Sequence, residues 1–323
     1  MRSIKEKHVI RILAGTCLCA VMFTVYAVAA SIYQAIHILT QAQISMIFGE
    51  DDRLDLYQVK NPQLLKLADS TVAQFHFKQL ELDPEKKAVH IKTETYGDSL
   101  NLCKGERYYD QPSGAICSGV LVGPDIMLTA GHCIKNESWC EQTRFVFGFA
   151  VKAPGESPKS IPENEVYACK NIIERRKDST LSDWILLRLD REVRNHDPLE
   201  LNASGNVNQG DPLVVMGHPT GLPLKIAGNA RVIHALPEKK YFMADLDAFR
   251  GTSGGPVFNA NTLLFEGLLI RAGPVDFVPN GDCNVAVVMP NEGDSEEEPR
   301  YDTLPAGVMR AEFIAKVLLS LEK

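Results

Sequence analysis

The sequence predicts an all-β domain that ends in one α-helix. From about Phe48 onward, short apolar and β-branched runs recur, each roughly three to nine residues long. Gly, Pro, Asn or Asp bracket most of these runs, as is typical of strands joined by turns. At the end of the chain, apolar residues instead repeat at helical spacing on one face. These two patterns predict the fold class before any motif is considered.

The predicted elements follow in chain order. The predicted strands are Gly119–Val122, Ile126–Thr129, Arg144–Phe149, Trp184–Leu189, Leu213–Met216, Arg231–His234, Tyr241–Ala244, Pro256–Phe258, Leu263–Arg271 and Ala286–Met289. Residues 150–162 are rich in proline and predict a surface loop. Residues 291–299 are acidic and polar, which favours a solvated loop over a calcium site. The terminal helix would bury Val308, Phe313, Ile314, Val317, Leu318 and Leu321.

Composition and charge exclude several classes of protein. The chain has 323 residues, 45% hydrophobic and 23% charged, which is typical of a globular protein rather than a disordered or collagen-like one. The formal net charge is −7, and five acids in the 291–299 loop account for most of it. No basic field or nucleic-acid-binding motif occurs, so no nucleic-acid partner is expected.

The N-terminus predicts export from the cytoplasm. Basic residues precede an uncharged stretch from Ile12 to Ala30, which ends in small residues like those of a signal peptidase site. The stretch is long for a signal peptide and almost long enough to span a bilayer. Residues 1–30 are therefore interpreted as a signal peptide or as a membrane anchor formed by residues 9–30, and residues 31–46 as a spacer or propeptide. Either interpretation predicts a secreted or periplasmic protein.

Cysteine usage agrees with an oxidising compartment. Two of the eight cysteines lie in the export segment, which leaves an even number for disulfides: Cys103, Cys117, Cys133, Cys140, Cys169 and Cys283. No C-x-x-C pair occurs among these six, which disfavours a zinc site. Spacing alone does not choose among the fifteen pairings that six cysteines allow.

Three segments carry residues suited to acyl-transfer chemistry. Residues 117–133 form two apolar runs and a turn that end in Thr-Ala-Gly-His-Cys, with the histidine at His132. Asp183 begins a later apolar strand. Ser253 lies in the glycine-rich sequence Gly-Thr-Ser-Gly-Gly-Pro that precedes another strand. The order along the chain is His, Asp, Ser.

These residue types can work together as one catalytic unit. A serine hydroxyl needs a base to accept its proton during attack, and histidine titrates near neutrality. A carboxylate fixes the imidazole tautomer and stabilises the imidazolium. Glycines next to the serine let the Gly251 and Ser253 N–H groups point at a developing oxyanion.

Together the three segments resemble the chymotrypsin-like serine peptidases, which share this order of residues. Within that family the sequence is most similar to the bacterial secreted V8-like branch, on the basis of Phe48–Arg53 and Gly217–Pro223. The resemblance implies that His132 is the general base, Asp183 the orienting acid and Ser253 the nucleophile. It also implies a monomeric endopeptidase that acts on protein or peptide substrates and uses no metal or other cofactor.

The same resemblance covers residues 47–323 and implies two antiparallel six-stranded β-barrels with a C-terminal helix. The expected bounds are about 70–190 for the first barrel, 195–307 for the second and 308–322 for the helix. The resemblance implies a Cys117–Cys133 disulfide beside the histidine. We expect Cys140–Cys169 as the second pair and Cys103–Cys283 as the third.

The sequence also departs from the family pattern around its serine. Trypsin-type enzymes carry an aspartate just before the serine, where this chain has Thr252, so their activation ion pair cannot form in its usual way. The expected substrate pocket comprises Asp247, Ala248, Ile270 and Arg271. Asp247 would favour Arg or Lys in the substrate, whereas Arg271 would favour an acidic side chain.

Two other functions stay open at this point. The chain could be a binding or scaffold protein on a peptidase fold, although no triad residue is missing. It could also be a membrane-tethered processing protease with one narrow substrate.

Overall fold

The computed structural model describes residues 47–178, 182–272, 275–289 and 306–321. The predicted export segment and the acidic 291–299 loop lie outside these ranges. None of the helices within them is long and apolar enough to cross a bilayer.

Strands are the main regular elements of the described residues. The strands are β1 Ile47–Phe48, β2 Arg53–Asp55, β3 Thr71–His76, β4 Leu80–Asp83, β5 Ala88–Ile91, β6 Glu94–Thr95, β7 Pro112–Ser113, β8 Cys117–Gly123, β9 Ile126–Thr129, β10 Thr143–Val146, β11 Ser160–Pro162, β12 Val166–Lys177, β13 Asp183–Leu189, β14 Pro212–Gly217, β15 Lys225–His234, β16 Tyr241–Ala244, β17 Pro256–Asn259, β18 Phe265–Arg271, β19 Phe277–Asn280, β20 Cys283–Ala286, β21 Val288–Met289 and β22 Ala306–Arg310. The α-helices are α1 Pro62–Ala68, α2 Tyr96–Ser99, α3 Glu137–Gln142 and α4 Ala311–Leu321. Short 3₁₀ turns are Leu56–Gln58, Phe77–Gln79, Glu163–Glu165 and Pro219–Gly221.

Six of these strands close the first barrel in the order β10-β12-β13-β9-β8-β3. Every neighbouring pair is antiparallel. The barrel interior is apolar: Val72, Leu121, Met127, Phe145, Ile185 and Leu187 are fully buried. Because these residues come from five of the six strands, their burial holds the whole barrel together.

The second barrel has the order β14-β17-β18-β22-β16-β15 and closes through pairing of β14 with β15. These pairs are also antiparallel. Strand β2, from the N-terminal part of the described chain, adds to the edge of β15. The two closed barrels confirm the expected all-β fold.

Strand β22 corrects the predicted start of the C-terminal helix. Residues 306–310 pair with β16 and β18, and Val308 is fully buried inside the second barrel. Helix α4 therefore begins at Ala311 rather than at residue 308. Its apolar face packs in part as predicted: Ile314 is buried in the main core, Phe313, Val317 and Leu318 are half-buried against it, and Leu321 is exposed.

Three disulfides join cysteines of the described ranges, and they link the expected pairs. Cys117–Cys133 closes the segment before the histidine, and Cys140–Cys169 links α3 to β12. Cys103–Cys283 joins residues that are 180 positions apart in the sequence. These bonds fit an extracellular protein, since disulfides persist in oxidising compartments.

Candidate active site

The loop after β9 holds His132 in one position. The Cys117–Cys133 disulfide fixes the residue that follows the histidine, and Arg175 Nε donates to the carbonyl of Gly131 at 2.9 Å. A Cβ atom at Gly131 would lie 2.9 Å from the Arg176 carbonyl oxygen, closer than real Cβ atoms approach. Glycine is therefore required before His132 by close packing.

Asp183 orients the imidazole of His132. The aspartate begins β13, and its Oδ2 lies 2.9 Å from His132 Nδ1. A carboxylate only accepts hydrogen bonds, so Nδ1 carries the proton and Nε2 is left as the basic nitrogen. The Asp183 side chain is 16% exposed and that of His132 is 32% exposed. The pair can therefore accept a proton at Nε2 from a neighbouring group.

Lys177 is a contact of Asp183 that the sequence analysis missed. Its Nζ lies 3.6 Å from Asp183 Oδ2, and it is half exposed. The two residues face each other across the β12–β13 ladder. Recognition of this hairpin from the sequence could have brought them together, but β12 was not among the predicted strands.

Ser253 lies in a tight turn that two glycines make possible. Gly251 and Gly254 have φ values of 90° and 85°, in the left-handed region that favours glycine. The N–H of Thr252 donates to the Phe249 carbonyl, and that of Gly255 donates to the Thr252 carbonyl. Thr252 is buried, and its Oγ1 accepts from Phe249 N–H at 3.4 Å. The residue that replaces the family's aspartate thus braces the turn.

This turn leaves two N–H groups free. Those of Gly251 and Ser253 have no acceptor among the described residues. The N–H groups of Arg250, Thr252 and Gly254 do have one. An oxyanion hole uses two such free donors, so these two N–H groups are candidates for that role.

The serine turn and the histidine loop belong to different barrels and meet at the disulfide. Ser118 N–H in the first barrel donates to the Ser253 carbonyl at 2.8 Å. Cys133 Sγ lies 3.8 Å from that same carbonyl oxygen. Within the described part of the chain, no hydrogen bond joins Ser253 Oγ to His132. The backbone contacts bring the nucleophile candidate beside the His132–Asp183 pair.

Two of the expected pocket residues lie at the site. Ile270 and Arg271 line a cavity of about 330 Å³, together with His132, Asp183, Lys177 and Tyr241. A Cβ atom at Gly307 would lie 3.5 Å from Arg271 Nε, so the Arg271 side chain passes over this glycine. No carboxylate in the described ranges pairs with Arg271. The cavity therefore contains a cation that is available to a ligand.

The other two expected pocket residues do not line this cavity. Asp247 is only 5% exposed, and its two carboxylate oxygens accept hydrogen bonds from the N–H groups of Phe48 and Asp52, each at 2.8 Å. Burial raises the pKa of Asp247 to about 7. Ala248 is buried in the core of the second barrel. In this structure Asp247 binds the N-terminal segment of the described chain. It does not form an open pocket for a cationic side chain.

One group of side chains in the described ranges has the spacing of a metal site: Cys117, His132 and Cys133. Both of its cysteines are in one disulfide, so neither offers a thiolate. The group is better explained as the brace of the histidine loop.

Comparison with known proteins finds similarity to peptidases. Residues 117–265 match the model of the trypsin-like peptidase domain. The chain is 32% identical to snake venom serine protease 3 of Protobothrops jerdonii over 117 residues, 35% of this chain and 42% of that protein. It is 25% identical to a glutamyl endopeptidase of Bacillus licheniformis over 151 residues, 45% of this chain and 46% of that protein.

The chain thus spans less than half the length of these two curated relatives. The structure of the Vibrio cholerae VesB protease is similar with a TM-score of 0.45 and 16% identity, over 77% of this chain and 63% of that one. The matched segment runs from the cysteine before His132 to the strand after Ser253, and it contains both halves of the site. Residues 117–265 are therefore similar to the trypsin-like peptidase domain, as the resemblance of the three motifs implied.

Proposed function

We propose that this protein is a serine endopeptidase that hydrolyses peptide bonds through His132, Asp183 and Ser253. The observation that carries the proposal is the pair of free N–H groups at Gly251 and Ser253. One belongs to the serine itself and the other to the residue two positions earlier, and the serine lies beside an oriented histidine. A turn with only a structural role would have no need of two unpaired donors, since buried N–H groups normally find acceptors.

In the first half of the proposed reaction, Ser253 Oγ attacks the substrate carbonyl carbon. Its proton passes to His132 Nε2, and Asp183 stabilises the imidazolium that forms. The former carbonyl oxygen becomes an oxyanion, which accepts hydrogen bonds from the Gly251 and Ser253 N–H groups. The hydrogen bond between Ser253 and His132 is expected to form when substrate binds, since such bonds are often long in unliganded sites.

In the second half, His132 gives its proton to the leaving amine, and the C–N bond breaks to leave an acyl-enzyme on Ser253. Water then attacks this ester and passes its proton to His132 Nε2. Collapse of the second tetrahedral intermediate returns that proton to Ser253 and releases the acid. Three side chains, two backbone N–H groups and water are sufficient for this cycle.

The preference for Arg or Lys that the sequence suggested through Asp247 stays a prediction. The contacts of Asp247 weigh against it, because both carboxylate oxygens already accept hydrogen bonds. Arg271 and Lys177 line the cavity beside His132 and favour the alternative, an acidic side chain in the substrate. The relative from Bacillus licheniformis, a glutamyl endopeptidase by name, is consistent with that alternative.

We propose further that the protein acts outside the cytoplasm, as a monomer, on protein or peptide substrates. The basic and apolar N-terminal segment and the three disulfides support this location. The segment would be removed as a signal peptide, or retained as an anchor in a tethered processing protease.

The proposed activity is tested with a mixed peptide library and the full-length protein beside its Ser253→Ala variant. We expect cuts with the wild type only, because the variant lacks the nucleophile. Sequencing the cut sites reads out the specificity. An Arg271→Gln variant should lose cleavage next to Glu or Asp if Arg271 binds an acidic side chain.

A serine-reactive phosphonate serves as the control for narrow specificity. An active site that rejects every library peptide would still be labelled at Ser253. No cuts and no labelling would overturn the peptidase proposal and favour a scaffold protein on this fold. Equal cutting by the wild type and by Ser253→Ala would remove Ser253 as the nucleophile.

A further inference from the structure

Ser118 has a side chain whose position the proposed triad does not explain. It is the second residue of β8, directly after Cys117, and it is fully buried. Its hydroxyl makes two hydrogen bonds to the second barrel. It donates to the Gly251 carbonyl at 2.9 Å and accepts from the His218 N–H at 2.9 Å. The hydroxyl thus uses its one donor and one of its two acceptor lone pairs.

The Gly251 carbonyl belongs to the peptide unit that joins the two free donors. One donor, the Gly251 N–H, precedes this peptide unit, and the other, the Ser253 N–H, follows one residue later. Because a peptide unit is planar, a bond to its carbonyl fixes how the whole plane is rotated. That rotation sets the direction of the backbone on both sides. The Ser118 hydroxyl therefore acts on the geometry of both donors at once.

The preceding peptide unit, between Arg250 and Gly251, is held by the 218–221 turn of the second barrel. The Arg250 carbonyl accepts a hydrogen bond from the Thr220 N–H. Both carbonyls that flank the Gly251 α-carbon are thus fixed, one directly by the 218–221 turn and one through Ser118. A left-handed glycine has wide conformational freedom, so it needs such fixed neighbours to keep one geometry.

Two glycines allow the segments around the Ser118 hydroxyl to pack closely. A Cβ atom at Gly217 would lie 2.7 Å from Ser118 Oγ, and one at Gly251 would lie 2.7 Å from the His218 carbonyl oxygen. Any larger residue at either position would push the two segments apart. The glycines and the serine therefore form one packed unit.

We infer that Ser118 is a positioning residue for the proposed hydrolysis. Its hydroxyl fixes the Gly251–Thr252 peptide and so holds the Gly251 and Ser253 N–H groups aimed at the oxyanion. This inference rests on the proposed function, because it assigns a role in forming the oxyanion hole. Ser118 belongs to the first barrel, whereas the two N–H groups that it positions belong to the second.

Removal of the hydroxyl should act on the transition state and not on substrate binding. In Ser118→Ala, kcat should fall about tenfold while KM changes less than about twofold. Affinity for a peptide boronic acid, which mimics the tetrahedral intermediate, should fall by the same factor as kcat. Ser118→Gly also lacks the hydroxyl and provides a second variant with the same expected loss.

Ser113 offers a matched control. Its hydroxyl donates to the Thr220 carbonyl at 2.7 Å, so it anchors the same turn but does not contact the Gly251 carbonyl. Ser113→Ala should leave kcat within about twofold of the wild type. Equal losses of kcat in Ser113→Ala and Ser118→Ala would overturn the inference, since both would then reflect only the stability of the turn.

A measurement that needs no turnover separates the inference from the proposed activity. The amide resonance of Gly251 in a ¹⁵N–¹H spectrum of the full-length protein should shift in Ser118→Ala and stay in place in Ser113→Ala. An unchanged kcat or an unchanged Gly251 resonance in Ser118→Ala would overturn the positioning role alone. A wild type that neither cuts peptides nor reacts with the phosphonate would overturn the proposed function, and the inference with it.

Discussion

At the scale of single residues, the candidate site depends on side chains that several separate contacts hold in place. His132 is fixed by a disulfide at the next residue, by a close-packed glycine before it and by the Asp183 carboxylate at Nδ1. The remaining ring nitrogen is then the basic one. The tautomer of His132 follows from its contact with the Asp183 carboxylate. The rate of hydrolysis should therefore fall when that negative charge is removed.

Asp183→Asn should lower kcat by about 10⁴ while the fold persists, because an amide can present its N–H₂ group to Nδ1 and favour the wrong tautomer. The rate of peptide hydrolysis by the full-length variant measures this effect. Asp83→Asn is the control, since it makes the same change in a carboxylate that lies 3.5 Å from His90 on the surface, and it should change kcat by less than about threefold. A fall of less than tenfold in Asp183→Asn would show that Asp183 does not orient His132.

Residue-level prediction from the sequence is most direct where a local motif points to the candidate residues. The neighbours of His132 and Ser253 in the sequence are also their neighbours in the site, so short motifs identify them. Asp247 was harder, because its partner Phe48 lies 199 positions away. No local sequence pattern indicates such a contact. The position of Asp247 relative to Ser253 therefore did not predict the environment of the Asp247 carboxylate.

At the scale of secondary-structure elements, periodicity found strands that have clear turns at both ends. Ile126–Thr129 and Tyr241–Ala244 were predicted with the bounds that the structure has. Strand β12, Val166–Lys177, was missed, because irregular pairing near its centre breaks the alternation of buried and exposed residues. Strand β22 was assigned to the helix, since Val308 fits both the helical repeat and a buried strand.

The disulfides should contribute unequally to the stability of these elements. Cys103 and Cys283 are separated by 180 positions, whereas Cys140 and Cys169 are separated by 29. A longer closed loop restricts the unfolded chain more, so the model of chain entropy predicts the larger loss for the longer loop, within about 2–5 kcal/mol for either bond.

Urea unfolding of two double variants measures this difference under oxidising conditions. Cys103→Ser with Cys283→Ser should lower the free energy of unfolding more than Cys140→Ser with Cys169→Ser. The wild type under the same conditions gives the reference. The opposite order would mean that local packing, and not loop length, decides what each disulfide contributes.

At the scale of the whole molecule, His196 anchors the connection between the barrels. This connection runs from the end of β13 to the start of β14. The ring nitrogens of His196 lie 2.8 Å from Asp69 and 2.6 Å from Glu165, and the ring stacks on Phe147 at 4.1 Å. Burial alone would lower the pKa of His196, but the two carboxylates raise it to about 9.

The stability of the folded protein should therefore depend on pH in the alkaline range. The folded pKa of His196 lies above its unfolded value of about 6.5, so its stabilising contribution is complete below pH 6.5 and is lost as the pH rises through about 9. We expect this loss to be about 1–2 kcal/mol, since the exposed Asp69 is screened by water.

Urea unfolding of the wild type and of His196→Gln between pH 6 and pH 10 tests this dependence. The variant should be less stable at pH 6 and should lack the decline that the wild type shows up to pH 10. His90→Gln is the control, because His90 lies on the surface 3.5 Å from Asp83 and should leave the decline intact. A parallel decline in the wild type and in His196→Gln would exclude His196 as its source.

The long disulfide has a further consequence for the proposed peptidase activity. Cys103 and Cys283 turn the chain between them into a covalent ring, and His132, Asp183 and Ser253 all lie inside it. A single nick anywhere in that ring, such as self-digestion at the exposed residues 152–157, would open the ring without releasing either half. The cut protein would migrate as one species until a reductant divided it into two fragments. Cleavage at one such point would leave every catalytic group attached to the same molecule.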